Sequence, residues 1–102
     1  MATKAKSKDP PARREAADEM TSPERLAALA EESTALARIV AKNPSAPVSL
    51  LRVLTQSEDE ATRKNLILNQ FSSYDILCEL EDEFPKKFVN NPALAFYNAI
   101  KP

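Results

Sequence analysis

Few side chains in this chain are suited to chemistry. Cys78 is the one cysteine, and there is no histidine, tryptophan or glycine. A cysteine nucleophile works as a thiolate, and without an imidazole to hold it so, Cys78 beside Leu77 reads as a small core hydrophobe. A single thiol makes neither an internal disulfide nor an iron–sulfur cluster. The acidic run Glu79, Glu81, Asp82 and Glu83 could gather oxygen ligands for a cation, yet a calcium loop of the EF-hand kind needs a central glycine. The simpler reading is a solvated corner: its acids favour the N-terminus of the next helix, and Lys86 and Lys87 lie within that helix. Missing His also removes the Ser-His-Asp constellation and the usual zinc ligands, and missing Gly removes phosphate-cradling loops. The expectation is a non-enzymatic chain with no catalytic residue, no metal site and no cofactor.

If these residues are not chemical, the elements that carry them become the informative feature. With 102 residues, one small domain is expected. Ala, Leu, Glu, Lys and Arg are abundant and favour helix, and the turn dipeptides of tight hairpins are unavailable without glycine. The fold class expected is all-α. No apolar run reaches the ~18–20 residues that span a bilayer, and the first 20 residues lack the apolar centre of a signal peptide. A cytoplasmic protein is expected.

Charge divides the chain. Lys4, Lys6, Lys8, Arg13 and Arg14 oppose a single Asp9 in residues 1–14, a side-chain charge of +4; residues 15–102 carry −5. Met1 is the one large apolar residue before Met20, and Pro10-Pro11 interrupts helix formation there. Residues 1–20 are therefore expected to be a disordered basic tail, and residues 21–102 a helical domain. A helix from Arg13 into Met20 is the alternative for the end of that tail.

From Thr21 onward, short helices alternate with stops. Ser22-Pro23-Glu24, Ser33, Pro47, the capping box Ser57-Glu58-Asp59-Glu60, Ser72 or Ser73, Pro85 and Pro92 each open a helix. Asn43-Pro44, Asn69 and Asn91 close helices; asparagine tolerates a left-handed terminus, and a residue before proline avoids the helical region. Leu50, Leu54, Leu66 and Ile67 are expected in the core, along with most of the aromatics Phe71, Tyr74, Phe84, Phe88, Phe96 and Tyr97.

The pattern repeats. Arg38-Ile39-Val40-Ala41-Lys42-Asn43-Pro44 lines up with Lys64-Asn65-Leu66-Ile67-Leu68-Asn69-Gln70, and both with Lys86-Lys87-Phe88-Val89-Asn90-Asn91-Pro92. The corner asparagines stand 26 and then 22 positions apart. Pro23–Leu29 matches Pro47–Val53 with a shift of 24, and Ser73–Leu80 echoes them. These units, the stretch from Ala41 to Leu51 above all, resemble the leucine-rich repeat variant family over residues 22–100. The resemblance implies a short right-handed solenoid of about three repeats, each an α-helix plus a short α- or 3₁₀-helix. Gln70-Phe71 departs from the family's Asn-Pro corner and is expected to alter that turn. Some members carry an iron–sulfur Cys cluster ahead of the repeats, and no such cluster precedes Thr21 here.

Stacked helical repeats present extended surfaces, and the function expected is a protein–protein interaction module. The corner residues Asn43, Pro44, Asn69, Asn91 and Pro92 are expected to be structural. The interaction surface is expected at the C-terminal end, where Leu94, Phe96, Tyr97 and Ile100 begin a new unit with no second helix to cover it. A partner protein or a downstream segment would cover that face, and homo-oligomerisation is left open. The alternative is a nucleic-acid-binding module aided by the basic tail. It requires Arg25, Arg38, Arg52, Arg63, Lys64, Lys86 and Lys87 to share a face.

Overall fold

A computed structural model describes residues 9–95. The described chain is helical throughout, with no strand: α1 (Asp9–Ala17), α2 (Pro23–Glu32), α3 (Thr34–Lys42), α4 (Val48–Leu54), α5 (Glu60–Leu68), α6 (Tyr74–Leu80) and α7 (Pro85–Asn90), followed by helical residues 92–95. The helices fall into two rows. In the first row α1, α3, α5 and α7 pack one on the next; in the second lie α2, α4 and α6, each against its first-row neighbours. Helices of 6–10 residues are too short to persist alone and owe their stability to this packing.

Local chemistry explains the boundaries. Ser22 and Ser33 cap α2 and α3, accepting hydrogen bonds from the backbone N–H of Arg25 and Leu36. Pro85 stands in the first turn of α7, where its missing N–H costs nothing. The expected capping box is displaced: Asp59, not Ser57, caps α5 and accepts from Thr62 N–H, while Ser57 Oγ accepts from Asp59 N–H.

Two larger expectations are also corrected. The first concerns the tail. Residues from Asp9 onward form α1 rather than a disordered segment. Pro10 and Pro11 fall in the first turn of that helix, where proline is tolerated. Ala16 is fully buried in the core, and Glu15 pairs with Arg25 of α2 at 2.7 Å. The second concerns register. The second-row caps are Ser22, Pro47 and Ser73, so the shift from α2 to α4 is 25 and not 24. Leu26, Leu51 and Leu77 then occupy equivalent places and are fully buried. Leu29, Leu54 and Leu80 form the next equivalent set in the same core. Leu51, not Leu50, faces inward from α4; Leu50 is half-buried. Leu66 and Ile67 are buried as expected.

Of the aromatics, Phe84 and Phe88 are core residues, Tyr74 is half-buried and Phe71 is exposed; Phe96 and Tyr97 lie outside the described residues. Cys78 is exposed rather than buried, because it follows the inward-facing Ile76 and Leu77 and rotates onto the outer side of α6.

Candidate interaction groove

The corner asparagines set the geometry on which any surface of this molecule depends. Asn43, Asn69 and Asn91 are only 2%, 5% and 3% exposed, so their amides need partners inside the protein. Each side chain bonds in two directions. Its Oδ1 accepts from the backbone N–H two residues on: Ser45 at 2.8 Å, Phe71 at 2.8 Å and Ala93 at 2.7 Å. Its Nδ2 donates backward to the preceding repeat. Asn43 reaches Ala16 O at 2.8 Å and Asp18 O at 3.0 Å. Asn69 reaches Ala41 O at 2.9 Å and Asn43 O at 3.4 Å. Asn91 reaches Ile67 O at 2.6 Å and Asn69 O at 3.3 Å. The result is a ladder that fastens each repeat of the first row to the one before.

The corner backbone is extended and not left-handed, with φ,ψ of −74°,122°, −77°,117° and −72°,126° at the three asparagines. This is the conformation that a following proline requires. Gln70-Phe71 does not alter it: Ser72 N–H bonds to Asn69 O at 3.1 Å, as Ala46 N–H does to Asn43 O at 3.0 Å. A fourth corner escaped the sequence pattern because its residue is aspartate. Asp18 Oδ1 accepts from Met20 N–H at 2.9 Å, and Asp18 O accepts from Thr21 N–H at 3.1 Å, the same turn again. A carboxylate supplies the acceptor half of the asparagine's role and lacks the donor half.

Arginine–carboxylate pairs join neighbouring helices. Arg38 of α3 holds Asp59 at 2.8 Å, and Arg63 of α5 holds Glu83 at 2.7 Å, both along the first row. In the second row Arg52 of α4 meets Asp75 of α6 at 3.0 Å, and Gln56 donates to Glu79 at 3.1 Å. Hydrogen bonds from Arg38 and Thr62 push the Asp59 carboxyl well below the usual range. Arg25 and Arg63 lower Glu15 and Glu83, and Ser73, then Arg52, lowers Asp75.

The seam between α2 and α4 is built differently. Counting from the caps, Ala27 takes the place of Arg52 and Ser49 that of Asp75; Glu31 and Val53 stand where Gln56 and Glu79 do. No hydrogen bond or ion pair links α2 to α4 among the described residues. What remains is a groove of about 630 Å³ whose apolar lining includes Ala27, Ala30, Leu50 and Val53. Val53 is 67% exposed at the lip of this groove. Glu24 and Glu31 stand along the α2 side, no Lys or Arg lines the groove, and neither glutamate belongs to the ion pairs of the described residues.

The residues expected to form sites lie elsewhere. Leu94 is half-buried against the core, while Phe96, Tyr97 and Ile100 fall outside the described residues. In the basic tail, Arg13 and Arg14 are exposed on α1, and Lys4, Lys6 and Lys8 fall outside the described residues. The acidic run gathers no ligand set: Glu79 accepts from Gln56 and Glu83 pairs with Arg63, and no cluster of acids or thiols is placed to hold a metal among the described residues. No helix among them is long and apolar enough to cross a membrane.

Two rows of short helices, fastened by a recurring buried asparagine, define an all-α helical-repeat protein. The family model for the leucine-rich repeat variant domain matches residues 10–67, from α1 to the end of α5. The chain belongs to the leucine-rich repeat variant family. The match begins in the helix that charge and composition had assigned to a tail. Neither the curated proteins nor the solved structures compared with this chain yield a match.

Proposed function

We propose that this helical-repeat module binds a partner protein, does so without catalysis, and uses the α2–α4 groove as its binding surface. The observation that carries this reading is the missing bridge. The α4–α6 seam satisfies itself with Arg52–Asp75 and Gln56–Glu79, whereas the equivalent seam one repeat earlier presents small and apolar side chains to solvent. An unfilled apolar groove on a rigid helical scaffold is a usual place for another protein to dock.

Nucleic-acid binding finds less support. Of the seven bases that would have to form a stripe, Arg25, Arg38, Arg52 and Arg63 are engaged with carboxylates, and the groove itself has an acidic side. A photo-crosslinking amino acid placed at Val53 tests the reading, with the same group at exposed Val89 of α7 as control. The expected result is a discrete protein adduct at Val53, absent at Val89 and lost when Ala27→Arg/Ser49→Asp imports the bridge of the next seam. Equal adducts at both positions, or an adduct indifferent to the bridge, would overturn it.

A further inference from the structure

The groove also specifies the chemistry of what fills it; this inference rests on the binding role just proposed. Glu24 and Glu31 are seven residues apart on α2, two helical turns, and so lie on one side of the groove roughly 10 Å apart along the axis. Between them Ala27 and Ala30 are small enough for another helix to approach closely, and Leu50 and Val53 offer apolar contact from the facing side. A partner helix laid along α2 presents its own residues at the same rise, so positions i and i+7 meet the two carboxylates while i+3 and i+4 meet the apolar lining. We infer that the occupant is an amphipathic helix of a partner protein with Lys or Arg at i and i+7 and Leu, Ile, Met or Phe at i+3 or i+4.

Charge selects this occupant. Asp59, Asp75 and Glu83 are each answered by an arginine of the chain itself, Arg38, Arg52 and Arg63 respectively. At the groove Glu24 and Glu31 meet no cation among the lining residues, so a helix that supplies one at each end complements the groove in charge. A second copy of this chain does not carry the pattern. Lys6 and Arg13 are the one pair of bases seven apart in the sequence, and Asp9 and Pro10 stand where the apolar residues would be required. The occupant is a different protein, recognised as an apolar helix face seated in a groove and fixed by charges at its rim.

The experiment is a selection of bead-displayed, alanine-rich helical peptides randomised at i, i+3, i+4 and i+7 against the 102-residue chain. Enriched sequences are expected to carry Lys or Arg at both outer positions and apolar residues at the inner ones. Binding of a selected peptide, measured by fluorescence anisotropy, should weaken about tenfold with Glu24→Gln/Glu31→Gln and should fall with added salt. Ala27→Arg/Ser49→Asp should abolish it, and Val53→Glu on an exposed residue gives the same reading should the double variant melt early by circular dichroism. Enrichment of neutral or acidic helices that still lose binding with Ala27→Arg/Ser49→Asp would overturn the basic partner and leave the groove standing. No enrichment, or binding indifferent to both groove variants, would overturn the groove itself. Binding of a DNA or RNA duplex, or self-association by sedimentation, that is lost with the same substitutions would replace the proposed occupant.

Discussion

The two rows of helices come from one repeat and meet their neighbours in opposite ways. The first row is uniform: at each step from α1 to α7 a buried asparagine donates to the backbone of the repeat before it. The second row is uneven, with a polar bridge between α4 and α6 and an open groove between α2 and α4. Backbone-directed bonds are indifferent to the side chains they reach, so the first row can repeat while sequence drifts. Side-chain bridges require matched residues on two helices, and losing one match converts a joint into a surface. Constancy in one row leaves the other free to vary.

The strongest way to break this comparison is to spoil the ladder. Asn69→Asp places a carboxylate against the carbonyl oxygens of Ala41 and Asn43, and should cost about 3–5 kcal/mol in urea unfolding at pH 7. Asp18→Asn, at the corner with no donor role, should stay within about 0.5 kcal/mol. A similar cost at both corners would show that the backward bonds do not matter. Leu51→Ala, beneath the second row, should cost about 2–4 kcal/mol, against about 1 kcal/mol or less for its neighbour Leu50→Ala at the groove. Equal costs would restore the register that lines up Pro23 with Pro47.

Acid titration sharpens the contrast between bridged and open seams. Glu15, Asp59, Asp75 and Glu83 all have folded-state values below their ordinary ones. The unfolded chain therefore takes up protons first as pH falls. The stabilisation these groups give is complete above the unfolded values near pH 4 and is lost as pH drops through the folded ones. The melting temperature should fall between about pH 5 and pH 2, and Arg38→Gln should shallow that fall. The smallest effect belongs to the second-row bridge. A double-mutant cycle on Arg52 and Asp75, both more than half exposed, should give little or no coupling. A larger coupling would mean that the bridge is a structural joint and not merely the filling of a seam.

The first row was legible because its signal is a residue type that recurs. Asn43, Asn69 and Asn91 stand out in register, and the backbone they hold is the same whether Pro44, Gln70 or Pro92 follows. Asp18 was hidden by the same criterion, and α1 by its basic, proline-rich start. Register in the second row was misread because proline suits two adjacent positions: Pro23 is the first helical residue of α2, and Pro47 is the cap of α4. With adjacent leucines at 50 and 51 and a helix of seven residues, periodicity cannot choose between them. The groove was invisible for that reason. It is a difference between equivalent positions, Ala27 and Ser49 against Arg52 and Asp75, and equivalence is known only once the caps are placed.

The ladder also has a direction. The Nδ2 of each corner asparagine, Asn43, Asn69 and Asn91, finds its acceptors earlier in the chain, and only its Oδ1 looks forward, by two residues. A polypeptide synthesised from its N-terminus has thus already produced the acceptors of a corner by the time that corner appears. Repeats can be laid down in order, each closing on a finished surface, and removing the last one strands no buried amide. Removing α1 and its corner would orphan Asn43 at once. In the ladder, dependence runs one way along the stack: each corner needs the repeat before it and not the one after.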